Sequence, residues 1–526
     1  MHWLPALRIA NAPLAFQTCS PLGEGFVRRN LVGVWLALLT ASVLAGGEHW
    51  PAWRGPFGNG TSDAKGLPTT WNLATNENIV WKTELPSWSG ATPIVWGDFI
   101  FVMSPSKSEP AGEGAEASGG GQGAGSPPGG PASKGGPGGP PGKAPPGKGG
   151  FGERGGFGRG GFGPPGGFGK GGYGRANRDP GGQALLLLCL SKKDGRILWQ
   201  RELDRGNRVY NKQNSSSPSP VTDGKLVWAV TGNGVVSALD FEGNLLWQKN
   251  LQQEYGRFGL NWGYGSSPLL FRDRLIIEVL HGMHTDDPSY LIALEGTTGK
   301  VLWRVERPTD APRESPDAYT TPALLVHDGQ PQIVVSGGDY VTAHDPETGK
   351  ELWRVAGLNP NRNGNYRIVG SPVVVGNMIY APTRNRPLLA LRMEPGAAAP
   401  ALAWKWDDDG GPDVPTPTSD GTYFYMVADN GLLTCIEVAT GKKVYQKRLS
   451  VGATIDASPL LAEGKLYITG ENAVTVVVPA GPEFQELVRN ELDGTFTLSS
   501  LAVSGDKLFL RTSTHLYCLG REAVAP

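Results

Sequence analysis

One phrase of about eleven residues recurs along this 526-residue chain and constrains its fold more than any other feature. Two copies stand fifty residues apart, ALEGTTGKVLW at 293–303 and AHDPETGKELW at 343–353. Other copies are CLSKKDGRILW (189–199), ALDFEGNLLW (238–247) and CIEVATGKKVY (435–445), and shortened versions end at Trp81 and Trp404. A phrase repeated at this interval describes a structural unit and not a chemical site.

Each copy is followed by a loop and then by a Ser/Thr-Pro step into an apolar run, as in SPLLFRDRLIIEV and SPVVVGNMIYAP. The prolines of these steps are spaced 48, 54, 50, 45 and 42 residues apart from Pro220 onward, at positions 220, 268, 322, 372, 417 and 459. Eight units can be counted, and the last, SSLAVSGDKLFL, lacks the proline. A period in the forties to fifties built from short β-rich runs predicts a β-propeller.

A single unit predicts four antiparallel strands. In the unit that begins SPLLFRDRLIIEV, the residues FRD form the first turn, SYLIALEG the third strand, TTGK the second turn and VLWRVE the outer strand. Gly299 and Gly349 are expected to take positive φ in the tight turns. The tryptophan that ends each phrase is suited to filling the wedge between neighbouring sheets. These structural docking positions are Trp81, Trp199, Trp247, Trp303, Trp353, Trp404 and Tyr445.

The last unit supplies only three strands, and the missing outer strand is available at the front of the chain in NIVWKTEL (78–85). Pairing the two ends would close the ring and remove exposed sheet edges. The fold class predicted is therefore all-β, an eight-bladed propeller of four-stranded antiparallel blades that the N-terminal strand closes.

The phrase A-x-D-x-x-T-G-K-x-x-W resembles the tryptophan-docking motif of the pyrroloquinoline quinone (PQQ) propeller superfamily, and residues 343–353 match it fully. The resemblance covers nearly everything from Trp50 to the C-terminus except a glycine-rich insert, and WPAWRGPFGNG (51–60 with Trp50) looks like the leader of exported bacterial PQQ-like proteins. The WD40 and kelch signatures are missing at repeat spacing. The resemblance implies either a quinoprotein dehydrogenase or a non-catalytic assembly factor similar to the outer-membrane assembly propeller.

The first 45 residues predict export. Arg28 and Arg29 precede an apolar run of about 14 residues, Leu31–Leu44, which is too short to span a bilayer comfortably and resembles a signal peptide with an N-terminal extension. The residue directly after Ala45 is glycine and not cysteine, so no lipid anchor is expected, and the mature protein is predicted in the periplasm or outside the cell. The predicted segments are 1–45 (signal peptide), 46–103 (leader, closing strand and start of blade 1), 104–182 (insert), 183–520 (rest of the propeller) and 521–526 (tail).

The insert 104–182 is rich in glycine and proline and includes GGFGRGGFGPPGGFGKGGYGR. It lacks the apolar content for a packed core, so it is expected to be disordered. It is either a tolerated loop or an arm that contacts partners through its spaced aromatic residues. RNA binding is chemically possible, but the export signal and the net charge of −1 argue against a nucleic-acid partner.

The cysteines do not form a disulfide framework, because only Cys189, Cys435 and Cys518 remain after the signal peptide. They stand where other copies of the phrase have alanine, which favours a small packing residue. Two polar loops are candidate metal sites, HGMHTDDP and WDDDGGPD, although each is also explained as a solvated loop. The candidate ligands are His281, His284, Asp286, Asp287, Asp407, Asp408, Asp409 and Asp413.

Function is expected where the repeats differ, in the loops that join blades and those that join second to third strands, which open on one face of the ring. The candidate binding face consists of Asn261, Trp262, Tyr264, Arg313, Asp317, Tyr319, Arg362, Tyr366 and Arg367, together with Glu314 and Asn365. Arginine and tyrosine there could recognise carboxylates, phosphates or ring faces, or could pair with one another at the mouth of the channel.

Two functions remain open from the sequence. The first is a non-catalytic, exported binding or scaffold module without a cofactor, whose partners are other exported or outer-membrane proteins. The second is a PQQ- and Ca²⁺-dependent dehydrogenase of alcohols or sugars, which needs a metal ion, a carboxylate base and a flat aromatic against the quinone. The adjacent Cys-Cys pair of the catalytic relatives is missing here, and the first interpretation is preferred.

Overall fold

The eight repeat units form eight separate β-sheets in a computed structural model of the chain, which describes residues 47–109, 178–384 and 387–521. All of these residues belong to one compact unit, Leu44–Pro526. The predicted signal peptide, most of the predicted insert and all but the first residue of the predicted tail lie outside the described residues.

The N-terminal part supplies two strands that join sheets formed much later in the chain. These are β1 (Thr61–Ser62) and β2 (Ile79–Glu84). Blade 1 then consists of β3 (Ile94–Trp96), β4 (Phe99–Pro105), β5 (Ala184–Ser191) and β6 (Ile197–Arg205). The predicted insert therefore connects the second and third strands of blade 1, as expected, although its first two residues still belong to β4.

Blades 2 to 4 follow in the order of the chain. Blade 2 consists of β7 (Val221–Thr222), β8 (Leu226–Val230), β9 (Val235–Asp240) and β10 (Leu245–Asn250), and a single short helix follows, α1 (Leu251–Tyr255). Blade 3 consists of β11 (Leu269–Phe271), β12 (Arg274–Val279), β13 (Tyr290–Glu295) and β14 (Val301–Glu306). Blade 4 consists of β15 (Ala323–His327), β16 (Gln330–Gly337), β17 (Tyr340–His344) and β18 (Glu351–Ala356).

The last four blades complete the ring. Blade 5 consists of β19 (Val373–Val375), β20 (Met378–Ala381), β21 (Leu388–Arg392) and β22 (Ala401–Trp406). Blade 6 consists of β23 (Thr418–Ser419), β24 (Tyr423–Val427), β25 (Leu432–Glu437) and β26 (Lys443–Arg448). Blade 7 consists of β27 (Leu460–Ala462), β28 (Lys465–Thr469), β29 (Thr475–Pro479) and β30 (Val488–Asn490). Blade 8 consists of β31 (Ala502–Ser504), β32 (Lys507–Arg511) and β33 (His515–Leu519) with β2 as its fourth strand.

The predicted closure is confirmed, because β2 pairs antiparallel with β33 and Trp81 lies opposite Cys518. The Trp81 indole then donates to the backbone oxygen of Lys192 in blade 1 at 3.0 Å, which ties the closing strand to the first blade. The N-terminal strand β2 is thus the outer strand of blade 8. The third strand, β33, is therefore paired on both sides and is not an exposed sheet edge.

Five of the six docking tryptophans donate a hydrogen bond to the next blade, as in the pair formed by Trp303 and Gly349. The Trp303 indole donates to the backbone oxygen of Pro346 at 3.0 Å, across the blade boundary. Gly349 has a φ of 73°, and a Cβ at this position would lie 2.5 Å from Trp303 Cε3. The glycine of the turn is therefore required both by its backbone conformation and by the indole packed against it.

The three buried cysteines are packing residues, as predicted. Each lies directly across the strand pair from a docking aromatic, at the position where blades 2 to 5 have alanine. The pairs are Cys189–Trp199, Cys435–Tyr445 and Cys518–Trp81. A small residue is needed there because the large aromatic ring occupies the space beside the ladder.

The Ser/Thr-Pro steps form a closed ring of hydrogen bonds. In each blade the backbone N–H of the serine or threonine donates to the hydroxyl of the equivalent residue in the next blade, at 2.8–3.2 Å. Taken around the ring, the residues are Thr92, Ser219, Ser267, Thr321, Ser371, Thr416, Ser458 and Ser500, and the last donates back to the first. The eighth unit keeps the hydroxyl although it lacks the proline, which identifies the hydroxyl as the structural part of the step.

The leader, residues 47–67, closes one end of the channel. Its backbone pairs with Val95 of blade 1, Thr222 of blade 2 and Gly505 of blade 8, and β1 pairs with β27 of blade 7. The guanidinium of Arg54, which is buried, donates to the backbone oxygens of Pro417 and Pro459 beside blades 6 and 7, and the Asn59 side chain reaches Val374 of blade 5 at 3.5 Å. These contacts lie near the turns between the first and second strands, so the leader covers that end of the opening.

The apolar core lies between neighbouring sheets. One cluster alone contains buried residues from blades 3, 4 and 5, among them Ile276, Leu291, Val334 and Ile379. Within the described ranges no helix has the length and apolar content that crossing a membrane would require.

Candidate functional site

The two faces of the ring differ in the length of their loops. Because strands alternate in direction, the turns within the two hairpins of a blade lie on one face, which we call the short-turn face, and the leader covers it. The loops between blades and between second and third strands lie on the other face, the long-loop face. Since the leader occupies the short-turn end, the open end of the channel is on the long-loop face.

Three side chains that meet at the mouth of this opening form what we call the axial clasp: Lys212, Asp429 and Asp456. The Lys212 ammonium lies 2.8 Å from Asp429 Oδ2 and 2.7 Å from Asp456 Oδ1. Lys212 belongs to the loop between blades 1 and 2, whereas the two carboxylates belong to blade 6 and to the loop between blades 6 and 7. Three blades separate these positions by the shorter way around, so the lysine reaches across the opening.

Burial perturbs the charges of the axial clasp. Burial alone would lower the pKa of Lys212, but the two carboxylates outweigh it and raise the pKa above its ordinary value. Burial raises the pKa of Asp456 to about 7, the positive charge of Lys212 opposes the rise, and the neighbouring Glu471 adds to it. The Asp456 side chain is only 2% exposed, so its charge depends on the lysine.

Glu471 extends the network toward blades 8 and 1. Its carboxylate lies 3.5 Å from a guanidinium nitrogen of Arg178, and both side chains are buried. The guanidinium carbon of Arg178 lies 4.1 Å from the centre of the Phe496 ring, within the range of a cation–π contact. Arg178, Phe496 and Trp88 line a cavity of about 540 Å³ on this side of the mouth.

A second ionic group lies on the side of blades 3 to 6. Arg367 lies 3.3 Å from Asp413 Oδ2 and 3.9 Å from Glu314 Oε1, and its guanidinium carbon lies 5.9 Å from the centre of the Trp262 ring. The Trp262 indole donates to Glu314 at 2.9 Å, and its backbone N–H donates to the Tyr319 hydroxyl at 3.0 Å. Trp262 is 39% exposed and is held rigidly at the surface by these contacts.

Asp317 is buried beneath this group. Its two carboxylate oxygens accept hydrogen bonds from the backbone N–H of Asn261 at 2.8 Å and of Met283 at 3.0 Å. Burial raises the pKa of Asp317 to about 6, and the backbone hydrogen bonds oppose this rise. The carboxylate therefore anchors two loops to each other.

Of the eleven predicted face residues, six meet around Trp262: Asn261, Trp262, Glu314, Asp317, Tyr319 and Arg367. Tyr264 and Tyr366 are buried, and the Tyr264 hydroxyl donates to the backbone of Glu278. Arg362 pairs with Asp310 at 2.7 Å, and Arg313 is exposed in a left-handed conformation with a φ of 57°. Five residues of this face were not predicted because they come from loops far apart in the sequence: Lys212, Asp429, Asp456, Glu471 and Arg178.

The candidate metal ligands of the first loop are used in other contacts. His281 is buried, accepts from the backbone N–H of Gly259 at 3.1 Å through Nδ1 and lies 3.3 Å from the backbone oxygen of Pro288 through Nε2. His284 Nε2 lies 3.1 Å from Asn261 Oδ1, while Asp286 is exposed.

The aspartates of the second loop pair with different cations: Asp407 with Lys405, Asp408 with Lys443, and Asp413 with Arg367 and Arg384. The backbone oxygen of Asp409 accepts from Gln446. Across the described ranges no three His, Cys, Asp or Glu side chains come together in a way that could hold a metal ion.

Comparison with known proteins agrees with this architecture. The family model described as outer membrane protein assembly factor BamB matches residues 185–447 and 399–514, more than half of the chain. The chain is 29% identical over 171 residues to the quinohemoprotein alcohol dehydrogenase ADH-IIG of Pseudomonas putida. The aligned stretch covers 30% of this chain and 21% of that enzyme.

Two solved structures are similar to this chain at low sequence identity. Quinohemoprotein alcohol dehydrogenase from Comamonas testosteroni has a TM-score of 0.55 at 11% identity and covers 91% of this chain and 81% of its own. BamB from Moraxella catarrhalis has a TM-score of 0.48 at 15% identity and covers 65% of this chain and 95% of its own. The repeat, the eight sheets and the match over more than half of the sequence establish that the chain belongs to the PQQ-like β-propeller family described by the assembly factor BamB.

Proposed function

We propose that the protein is an exported, non-catalytic binding or scaffold module that contacts other exported or outer-membrane proteins through its long-loop face. The observation that carries this proposal is the axial clasp, in which Lys212 spans the opening and is neutralised by Asp429 and Asp456. The chain's own side chains thus fill the axial position, and the exposed rim around Trp262 is a surface that a partner protein can contact.

The carboxylates beside Trp262 are already used in contacts within the chain, which favours a binding role over a quinone site with a metal ion. Such a site needs an open position for a flat cofactor, oxygen ligands for a divalent cation and a carboxylate base that is free to take a proton. Both oxygens of Asp317 already accept backbone N–H groups, and Glu314 is held by Trp262, Asn261 and Arg367. This arrangement supports a binding role.

A PQQ- and Ca²⁺-dependent dehydrogenase of alcohols or sugars is the second candidate. It is favoured by the 29% identity to an alcohol dehydrogenase over 171 residues and by the buried Asp317, whose pKa is raised to about 6. An acid with such a pKa is a feature of proton-transfer sites, but it also follows from burial alone.

Site-specific photo-crosslinking in the native cell envelope tests the binding role. A photoreactive residue would replace Arg313, which is exposed on the long-loop face, and in a control chain Lys442, which is exposed in a hairpin turn of blade 6. We expect a discrete cross-linked protein from position 313 and none from position 442. Equal labelling from both faces, or none from either, would contradict a partner on the long-loop face.

A further inference from the structure

The loop between blades 1 and 2 projects as a short hairpin, residues 208–215, which we call the finger. The backbone N–H of Ser215 donates to the oxygen of Arg208 at 3.1 Å, and that of Tyr210 donates to the oxygen of Gln213 at 2.7 Å. Two residues are left between the last pair to form the tip, and one of them is the lysine of the axial clasp.

The base of the finger is fixed by uncharged contacts. Asn214 is buried, and its amide donates to the backbone oxygen of Trp88, in the loop before blade 1, at 2.8 Å. The backbone oxygen of Ser215 accepts from the N–H of Gly232 in blade 2 at 2.7 Å. Since none of these groups titrates, the base should stay in place as the pH changes.

One side of the finger packs on the loop between blades 2 and 3. The Gln213 amide donates to the backbone oxygen of Gly263 at 3.1 Å and to that of Trp262. The Tyr210 ring lies so close to Gly263 that a Cβ on this glycine would lie 2.2 Å from Cε2 of the ring. These contacts are also uncharged.

The tip, in contrast, is held on the far side of the opening by charge. Lys212 lies between Asp429 and the buried Asp456. Asp456 Oδ2 is buried and accepts no hydrogen bond from the residues that the structure describes, and Glu471 beside it carries the same charge. Two neighbouring carboxylates disfavour each other's ionised form, so Asp456 takes up a proton readily when the pH falls.

The charged groups around Asp456 come from several loops. Lys212 lies 2.7 Å from Asp456 and, within the described ranges, is the one cation at salt-bridge distance. Arg178 lies 3.5 Å from Glu471 and 3.5 Å from the backbone oxygen of Asn211 at the tip. The other charged groups of the mouth pair with these or with one another: Asp413, Asp429, Arg367 and Arg384.

Proton uptake by Asp456 and release of the tip are linked. Burial raises the pKa of Asp456 to about 7 against the opposing charge of Lys212. When the tip leaves, this opposing charge is lost, so the pKa of Asp456 is higher in the released state than in the held state. The released state therefore binds more protons, and acidification favours release by up to about tenfold per pH unit between the two pKa values.

From this geometry we propose that acid releases the finger: protonation of Asp456 frees the Lys212 tip from blades 6 and 7 and uncovers the axial opening, while the base and the side against blade 3 stay attached. At alkaline pH the finger covers the mouth of the channel. This device goes beyond the proposed partner-binding role and does not depend on it.

Fluorine-19 NMR of the full chain tests the proposal, with 4-trifluoromethylphenylalanine in place of Asn211, which is exposed at the tip. From pH 9 to pH 5 the transverse relaxation rate of the probe should fall at least about twofold, because a released loop moves on the nanosecond scale. The same probe in place of Lys442, which is exposed in a hairpin turn of blade 6, should keep its relaxation rate.

Two variants of the chain labelled at position 211 test the residues. Asp456→Asn keeps the size of the side chain and removes the titrating group, so the probe should relax at pH 9 as slowly as it does in the unmodified sequence at pH 5. Lys212→Met should give the same result. The matched control Lys405→Met removes a lysine from an exposed pair with Asp407 and should behave like the unmodified sequence.

A relaxation rate at position 211 that is the same at pH 9 and pH 5 would overturn the proposal. A pH dependence that survives in Asp456→Asn would contradict it as well, because another group would then be titrating. Equal falls at positions 211 and 442 would also refute it, since acid would then loosen the whole ring and not the finger.

Discussion

Replacing Lys212 with methionine tests the axial clasp most sharply, because methionine keeps much of the volume and removes the charge. At pH 8 the loss removes the counter-ion that allows Asp456, which is 2% exposed, to ionise, so the carboxyl takes up a proton. Taking up a proton about one pH unit above a pKa of about 7 costs about 1.4 kcal/mol, and the lost contact with Asp429 adds about 1 kcal/mol, so we expect a total loss of about 2 kcal/mol.

The same substitution should cost less at pH 5. The pKa of Asp456 is raised to about 7, so at pH 5 the carboxyl is already protonated in the folded protein and only the contact with Asp429 is lost, about 1 kcal/mol. A carboxyl with a raised folded pKa binds its proton more readily in the folded state, so its contribution to stability grows as pH falls through 7 toward its ordinary pKa near 4. Stability of the variant should therefore recover on acidification.

Urea unfolding of the full chain at pH 5 and pH 8 measures both losses, with the slope of each transition checked for constancy. The control is Lys405→Met, which removes the exposed pair with Asp407 and should cost about 1 kcal/mol or less at both pH values. Equal and small losses for the two variants at pH 8 would show that Lys212 does not compensate a buried charge, and the account of the mouth would be wrong.

Three further predictions concern the repeat. Trp303→Ala should lower the free energy of unfolding by about 3–5 kcal/mol because it empties the wedge between blades 3 and 4, whereas the exposed Trp262→Ala should cost far less in the same denaturation assay; equal losses would contradict the docking role. Gly349→Ala should destabilise by about 1–3 kcal/mol more than Gly376→Ala, since both have positive φ but only the first faces an indole; equal melting temperatures would contradict this. The three buried cysteines, whose thiol pKa values burial raises to about 12, should resist maleimide at pH 8 until the chain is unfolded, as peptide mass spectrometry would show; rapid labelling of the folded chain would contradict their packing.

The repeat made most of the fold predictable. The repeated phrase, for example the copy that ends at Trp303, was enough to predict the order of the strands, the glycine of the turn and the small residue opposite the aromatic ring. Because the last unit lacks an outer strand, residues 78–85 could be predicted to pair with it. Blades depart from the repeat pattern where a turn is irregular. The turn of blade 5 that would accept the hydrogen bond of Trp353 lacks the Thr-Gly-Lys sequence, and the Trp353 indole donates instead to Gln332 within its own blade at 2.7 Å.

The candidate site was less predictable because it depends on loops that do not repeat. Lys212 and Asp456 are 244 residues apart, and nothing in either loop indicates the other. Polar and aromatic loop residues also cannot be divided into exposed and buried ones by composition, so Tyr264 was predicted on the surface although its ring lies inside the wall. Charge pairs that form only after ring closure are visible in the structure alone.

Thermal unfolding of the full chain with PQQ, with and without Ca²⁺, tests the central claim that the chain's own side chains fill the axial position. A ligand that binds only the folded state at 100 times its dissociation constant would add about 2.7 kcal/mol. We expect no shift of the melting temperature with PQQ under either condition. A Ca²⁺-dependent rise would contradict it, because the cofactor and its metal ion would then have to displace Lys212 from Asp429 and Asp456.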